Sequence, residues 1–270
     1  MLELINNFVQ LRQRIREPKN NLMVIRFGNV EVQDLLYRDE IYHELKSNAG
    51  FYCKNKEKEQ EIYLLWKKKY LEAIYNSDLM LDIVTCSSFH IVGDLFNKLN
   101  TWLPSLVYME EPEWWWRNVI NEFEGTIGVV SYFKKDIENQ LKVIDKVYPN
   151  LNIKKKFVVI KSYNTITGNE PHNDWQETYN DLIKRIDKHK NIGMWLVSCG
   201  CYGLPVCNHI SQVNKKKSIY VGGLLQLLFG LKGKRWDNRP ECNRWYNEHW
   251  IYPTEKPKNA EDVEGWCYGK

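Results

Sequence analysis

The sequence predicts an α/β protein: a Rossmann-like, mainly parallel open sheet with helices on both faces. Three observations carry this. Short apolar runs of strand length recur along the chain and alternate with helix-period segments. Several runs end in glycine-bearing turns that lead into a helix. The apolar runs are continuous rather than alternating, as strands covered on both faces require.

Taken in order, residues 4–16 place Ile5, Phe8, Val9 and Ile15 at helical spacing, and Pro18 ends that element. LMVIRF (22–27) reads as a buried strand closed by Gly28, and residues 30–37 as a helix. Residues 57–75 give the clearest helix, with Ile62, Leu65, Trp66, Tyr70, Ala73 and Ile74 on one face. LMLDIV (79–84) is a second strand, followed by a helix around 89–99. Residues 102–118 lack a clean period and read as a loop feeding a helix. TIGVVSYF (126–133) is a strand and Asp136 to Tyr148 a single helix. KKFVVIKSY (155–163) is a strand, 164–173 a polar loop, and 174–189 a helix through Trp175, Tyr179, Leu182, Ile183 and Ile186. IGMWLVSC (192–199) is a strand that turns through Gly200–Gly203 into a helix starting near Leu204–Pro205, where a proline lacks no needed N–H. KSIYV (217–221) is the last strand, and Gly222–Gly223 leads to the short helix LLQLLFG. The expectation is a single domain over 1–270 with an irregular tail from about 238 to 270.

Composition bounds the function. The 270 residues are 43% apolar and 27% charged, the balance of a globular chain able to bury a core without staples. A net charge of +4 gives no argument for a nucleic-acid partner. No apolar run reaches the length of a spanning helix, and the N-terminus lacks a signal-peptide core, so the expected location is cytoplasmic. The seven cysteines include no CxxC pair and are read as reduced and structural. The six histidines show no metal spacing, and GxSxG, GxGxxG and Walker A motifs are missing. The 11 tryptophans and 16 tyrosines offer flat faces to sugar rings or bases, though large cores use the same residues.

In an open parallel sheet, ligands bind beyond the carboxyl ends of the strands. Those ends deliver Arg26, Gly28, Asn29 and Glu31; Ser131 and Tyr132; Lys161, Ser162 and Tyr163; Gly200, Tyr202 and Gly203; and Gly222, Gly223 and Gln226. The glycine turns let an anion approach backbone N–H groups, although any tight strand-to-helix turn uses glycine. Lys232, Lys234 and Arg235 form a basic loop expected to close over a diphosphate, with Trp236 placed to stack on a base or sugar. Arg26 lies inside an apolar run and needs an anionic partner, either Glu31 or a ligand phosphate. Glu31 is a candidate metal ligand or proton acceptor, or simply a carboxylate at a helix start. Trp114–Trp116 reads as an aromatic wall or as core.

VIRFGNVE (24–31) resembles the R-[FI]-G-x-x-E element of glycosyltransferases with the GT-D type fold. GTIGVVSYFKKDIENQL (125–141), VSCGCYGLPVCNHI (197–210), IYVGGLLQLLFGLKGKRWD (219–237) and NAEDVEGWCY (259–268) resemble sugar-transferase-like proteins of bacteria and large DNA viruses. The resemblance implies transfer of a sugar from a nucleotide-sugar donor, usually a UDP-sugar and with UDP-xylose among the candidates, to a glycan or glycoprotein acceptor. It implies that Glu31 and Arg26 act in catalysis. It further implies that Gly28, Gly200, Tyr202, Gly203, Gly222, Gly223, Gln226, Lys232, Lys234, Arg235 and Trp236 hold the donor. GT-D enzymes carry an Asp-x-Glu motif tied to a divalent metal, manganese or magnesium. Here Asn29 stands at the first position and only Glu31 matches, which leaves metal dependence open. Two other readings stand beside this one: another Rossmann-like nucleotide-dependent enzyme, such as a methyltransferase or dehydrogenase, and a non-catalytic sugar- or nucleotide-binding module.

Overall fold

The run 22–27 settles as strand β1 (Leu22–Arg26) in a computed structural model that describes residues 9, 11–17, 21–81, 105–106, 111–262 and 268–269. The other strands are β2 (Leu79–Leu81), β3 (Ser105–Leu106), β4 (Thr126–Ser131), β5 (Lys156–Lys161), β6 (Met194–Ser198) and β7 (Lys217–Tyr220). They form one sheet of order β3-β2-β1-β7-β6-β4-β5, and every pairing is parallel. The fold is the expected α/β arrangement: an open, parallel, Rossmann-like sheet flanked by helices. The β4–β5 connection steps outward and the β6–β7 connection steps back toward β1, so the chain leaves the neighbouring strands β4 and β6 in opposite directions. In open parallel sheets, such a divergence marks a ligand crevice at the carboxyl edge.

Strand periodicity divides the core in two. Leu22 and Val24 of β1 join one apolar cluster with Ile127, Leu196 and Ile219, while Met23 and Ile25 face the other with Trp195, Val197 and Tyr220. The second face is covered by helices Glu59–Tyr75, Trp175–Ile186 and Gly203–Asn208. Glu59–Tyr75 buries Ile62, Tyr63, Trp66, Tyr70, Ala73 and Ile74, with Tyr63 in the stripe where Leu65 was expected. Trp175–Ile186 is capped by Asp174, whose carboxylate accepts from the Glu177 amide at 2.9 Å. The first face receives Trp115 and Trp116, helix Leu224–Leu228, and Cys242, Trp250 and Ala260 from the tail. Trp115 and Trp116 are therefore core, with Trp114 half-buried against them, and Trp116 donates its indole N–H to Leu228 O at 2.9 Å.

Several elements differ from expectation. Helix Asn29–Glu44 is longer than 30–37 and ends in a π turn, Leu45–Ala49, stopped by Gly50 at φ 84°. The expected loop at 102–118 contains β3 and the helix Pro112–Trp115. The segment 136–148 is two helices, Lys134–Gln140 and Ile144–Val147. Gln140 at the break is buried and donates to Gly230 O and His249 O, both at 3.0 Å, which anchors the turn to the opposite loop. The basic segment carries the short helix Lys234–Asp237, and the tail the short helix Pro240–Asn243. The expected helix near 89–99, the end of the 79–84 strand, the start of the 4–16 helix, and Cys86 and Cys267 lie outside the described residues. The described cysteines at 53, 199, 201, 207 and 242 are free thiols. Among the described residues, no helix is long and apolar enough to cross a membrane.

Gly128 shows how tightly the sheet is packed. A Cβ there would run into the indole of Trp195 on the paired strand β6. Gly128→Ala is expected to lower unfolding free energy by about 1–3 kcal/mol, the usual cost of overpacking. Urea unfolding of the two proteins checks it, and an unchanged midpoint would show that the ring has room to move.

Candidate functional site

Because all strands run one way, their carboxyl ends share one edge. There β1 ends in Arg26, β7 runs into Gly222–Gly223, and β6 into Gly200. Gly222 at φ 61° and Gly200 at φ 54° occupy the left-handed region that favours glycine. The two turns are neighbours: the Gly222 amide donates to Val197 O at 3.2 Å, and the Tyr220 hydroxyl to Gly200 O at 3.1 Å.

Two guanidinium groups lie against the double glycine. A Cβ on Gly222 would come within 2.5 Å of Arg26 Nη1, and one on Gly223 within 2.5 Å of Arg235 Nη2. Arg26 sits 5.5 Å above the Tyr220 ring. Arg235 sits 4.4 Å over Tyr268 and 4.7 Å over Trp236. Arg235 Nη2 donates to Gln226 Oε1 at 2.8 Å, and Gln226 Nε2 donates to Tyr268 O at 2.9 Å, so Gln226 aligns the second cation. Nε of both arginines is buried without an acceptor. Neither guanidinium is bridged to a carboxylate among the described residues. Two fixed cations with unused donors against a close-approach backbone are suited to a doubly charged anion.

Glu31 opens the helix that follows β1 and is 5% exposed. Its carboxylate folds back onto Gly28, where a Cβ would collide with it, so Gly28 makes room for the acid. Burial raises the Glu31 pKa above the usual carboxylate range. Its own backbone amide and Arg26 pull it down in part, and Asp34 pushes it up. Asp34, one turn on, is fully buried and accepts from the Tyr63 hydroxyl at 2.8 Å. Burial, and then the charge of Glu31, raise the phenols of Tyr70 and Tyr220, so both remain protonated beside it.

This donor set does not fit a protein-held divalent cation. Asn29 supplies an amide where the Asp-x-Glu pattern has a carboxylate, Asp34 is engaged by Tyr63, and Glu31 lies where burial disfavours its charge. Among the described residues no three His, Cys, Asp or Glu side chains converge.

Past Tyr268, the ring beneath Arg235, an open cleft lies beyond the ends of β4, β5 and β6. Gly200 and Tyr202 line it together with Ser131, Ser162, Thr165 and Tyr268. Gly203 does not reach it; that glycine packs on the Tyr220 ring. Tyr202 is buried and stacks on Trp175, centroids 5.6 Å apart.

The basic segment after Gly230 is not the free loop that its composition predicts. Lys232 N donates to Ile251 O at 2.7 Å and Lys234 N to Gly269 O at 3.1 Å, which straps it to the tail. The Lys232 ammonium lies 5.2 Å from the Tyr246 ring, directed at the tail and not at the glycines. Lys234 is exposed, and Trp236, 8% exposed, is a core residue beneath Arg235 and Arg239. Thus Arg26, Gly28, Glu31, Gly222, Gly223, Gln226 and Arg235 come together, with Gly200 and Tyr202 next to them. Gly203, Lys232 and Trp236 serve packing. Tyr268, Thr165 and Ser198 were not singled out from the sequence as binding residues. Ser198 could have been found next to the end of the predicted strand 192–199, and Tyr268 from its place in the closing 259–268 motif.

No family model matches the chain, and no curated protein matches it. Among solved structures, it is similar to the selenomethionine-substituted structure of domain of unknown function 1792, at 13% identity and a TM-score of 0.44, over 94% of this chain and 97% of that one.

The environment of Glu31 gives a signed pH dependence. Its folded pKa is raised, so the stability tied to its neutral form is fully present below the unfolded value of about 4.3 and is lost as pH rises through the folded value. Glu31→Gln does not titrate. Its melting temperature relative to the native chain is expected to climb between about pH 4 and pH 7; a difference flat or falling over that range would contradict a desolvated carboxyl.

Proposed function

We propose that the protein transfers a sugar from a nucleotide-sugar donor, of the UDP-sugar type, to a hydroxyl of a glycan acceptor. The observation that carries this reading is the pair Arg26 and Arg235, set against Gly222–Gly223 with buried, unused Nε donors and next to a hydroxyl-lined cleft. A diphosphate offers one anionic group to each guanidinium, and Tyr268, the ring beneath Arg235, forms a wall of the cleft that a sugar attached to it would enter. The motifs around residues 24–31 and 219–237 resemble those of sugar transferases and supply the same residues.

The chemistry follows from charge. As the bond between the anomeric carbon and the leaving phosphate oxygen breaks, its electron pair goes to the diphosphate. Fixed guanidinium donors stabilise that charge more than they stabilise the ground state. The acceptor oxygen forms the new bond to the anomeric carbon and gives up its proton. Glu31 is the described carboxylate beside Arg26, and its raised pKa makes it a stronger base once ionised. Burial of Glu31 and the amide at Asn29 favour one competing reading, a module that binds the same donor without turnover.

A donor panel for UDP release, run with and without manganese, tests the proposal, with SAM and NAD as controls in thermal shift. Arg26→Ala and Arg235→Ala are each expected to weaken UDP binding about 10- to 100-fold, the worth of a charge-assisted hydrogen bond. Glu31→Gln is expected to hold nucleotide normally and to release UDP about 100-fold more slowly or worse. Binding without turnover on any acceptor would favour the module. A thermal shift with SAM or NAD and none with a UDP-sugar would reject both.

A further inference from the structure

Three serines close neighbouring strands at one end of the cleft. Ser131 ends β4 in register with Ser198 at the end of β6, and Ser162 follows β5, its amide donating to Ser131 O at 2.9 Å. All three line the cleft. Ser162 is 1% exposed, and its hydroxyl has no hydrogen-bond partner. A buried hydroxyl in that state is costly unless a ligand group completes it.

The cleft carries hydroxyls and tyrosine rings but no charge. Among the described residues that line it there is no Lys, Arg, His, Asp or Glu. The nearest cations lie outside its lining: Arg185 sits 4.7 Å over the Tyr163 ring and is paired with Asp181. Lys161 sits 4.7 Å over the Tyr132 ring and is paired with Glu255. Arg235 lies across the Tyr268 ring, bonded through one Nη to Gln226, and its remaining donors are those assigned above to the diphosphate. A carboxylate or phosphate entering this space would lose its hydration with no cation to replace it. A neutral ring with several hydroxyls would satisfy the serines and lay its C–H face on a tyrosine.

We infer that this cleft is a subsite for an uncharged, polyhydroxylated ring, and that it selects neutral sugars against uronic acids and sugar phosphates. The inference rests on the sugar-transfer reading and narrows its substrate class. Two sources share this chemistry: the sugar of the donor, or a residue of the acceptor glycan.

Calorimetry on the full chain with UDP, UDP-glucose, UDP-xylose and UDP-glucuronate separates donor selection from nucleotide binding. Saturation-transfer NMR with methyl xyloside, methyl glucoside and glucuronate, with and without UDP, reads the acceptor arm. If the donor sugar occupies the cleft, neutral UDP-sugars bind about 5-fold tighter than UDP, one net hydrogen bond, while UDP-glucuronate gains nothing. Ser162→Ala removes the gain and leaves UDP affinity intact. If an acceptor ring occupies it, the neutral methyl glycosides show saturation transfer that Ser162→Ala abolishes, and glucuronate shows none. Either pattern supports the subsite. Equal gain from UDP-glucuronate, indifference to Ser162→Ala in both arms, or no recognition of neutral rings in either arm would overturn it. Failure of UDP itself to bind would instead sink the transferase reading, and the methyl glycosides without UDP would still decide the subsite.

Discussion

The positive backbone angle at Gly222 is the constraint on which the site depends. At φ 61° the chain leaves β7 by a route that L-residues with side chains rarely take, and the missing Cβ leaves the space that Arg26 occupies. Without both properties the guanidinium could not lie flat against the turn. Gly223, at an ordinary helical φ of −59°, supplies only the missing Cβ that leaves room for Arg235, which is held by Gln226. One dipeptide thus fixes the spacing of two cations that come from distant parts of the sequence. The parallel sheet adds the rest, because it delivers Ser131, Ser162 and Gly200 to the same edge.

Two like charges held against one turn make sense physically only if something offsets them. Glu31 does so in part for Arg26, since the guanidinium lowers the acid's pKa against the effect of burial. Arg235 instead leans on the π faces of Tyr268 and Trp236, which favour a cation without neutralising it. The edge therefore keeps net positive character where β1 meets β7, and becomes neutral and hydroxyl-rich toward β4 and β5. That gradient matches a ligand with a charged middle and an uncharged end.

Much of this was legible in the sequence because the deciding signals are local. Continuous apolar runs at 22–27, 126–133 and 192–199 are strands because both faces are buried, and glycine after a strand marks a turn. Arg26 within an apolar run announced a cation needing a partner. Features set by tertiary contact were not legible. The break at Gln140 exists because its amide bonds across to Gly230 and His249. The strapping of Lys232 and Lys234 depends on Ile251 and Gly269, and Trp236 is core because Arg235 and Arg239 cover it. A basic, glycine-punctuated segment reads as a mobile flap until its backbone partners are known.

The same contrast explains why Glu31 is the most demanding residue of the site. A carboxylate at a helix start is ordinary, stabilised by free amides and the helix dipole. This one is also sealed against Gly28, with protonated Tyr70 and Tyr220 nearby and a second carboxyl, Asp34, one turn away. An anion arriving at Arg26 would draw the guanidinium's field away from Glu31 and make the acid hold a proton more firmly. On the proposed reading, a bound diphosphate makes the ionised carboxylate a stronger base and at the same time lowers the fraction of it that is ionised. The coupling works only because the carboxyl is too buried for water to screen it.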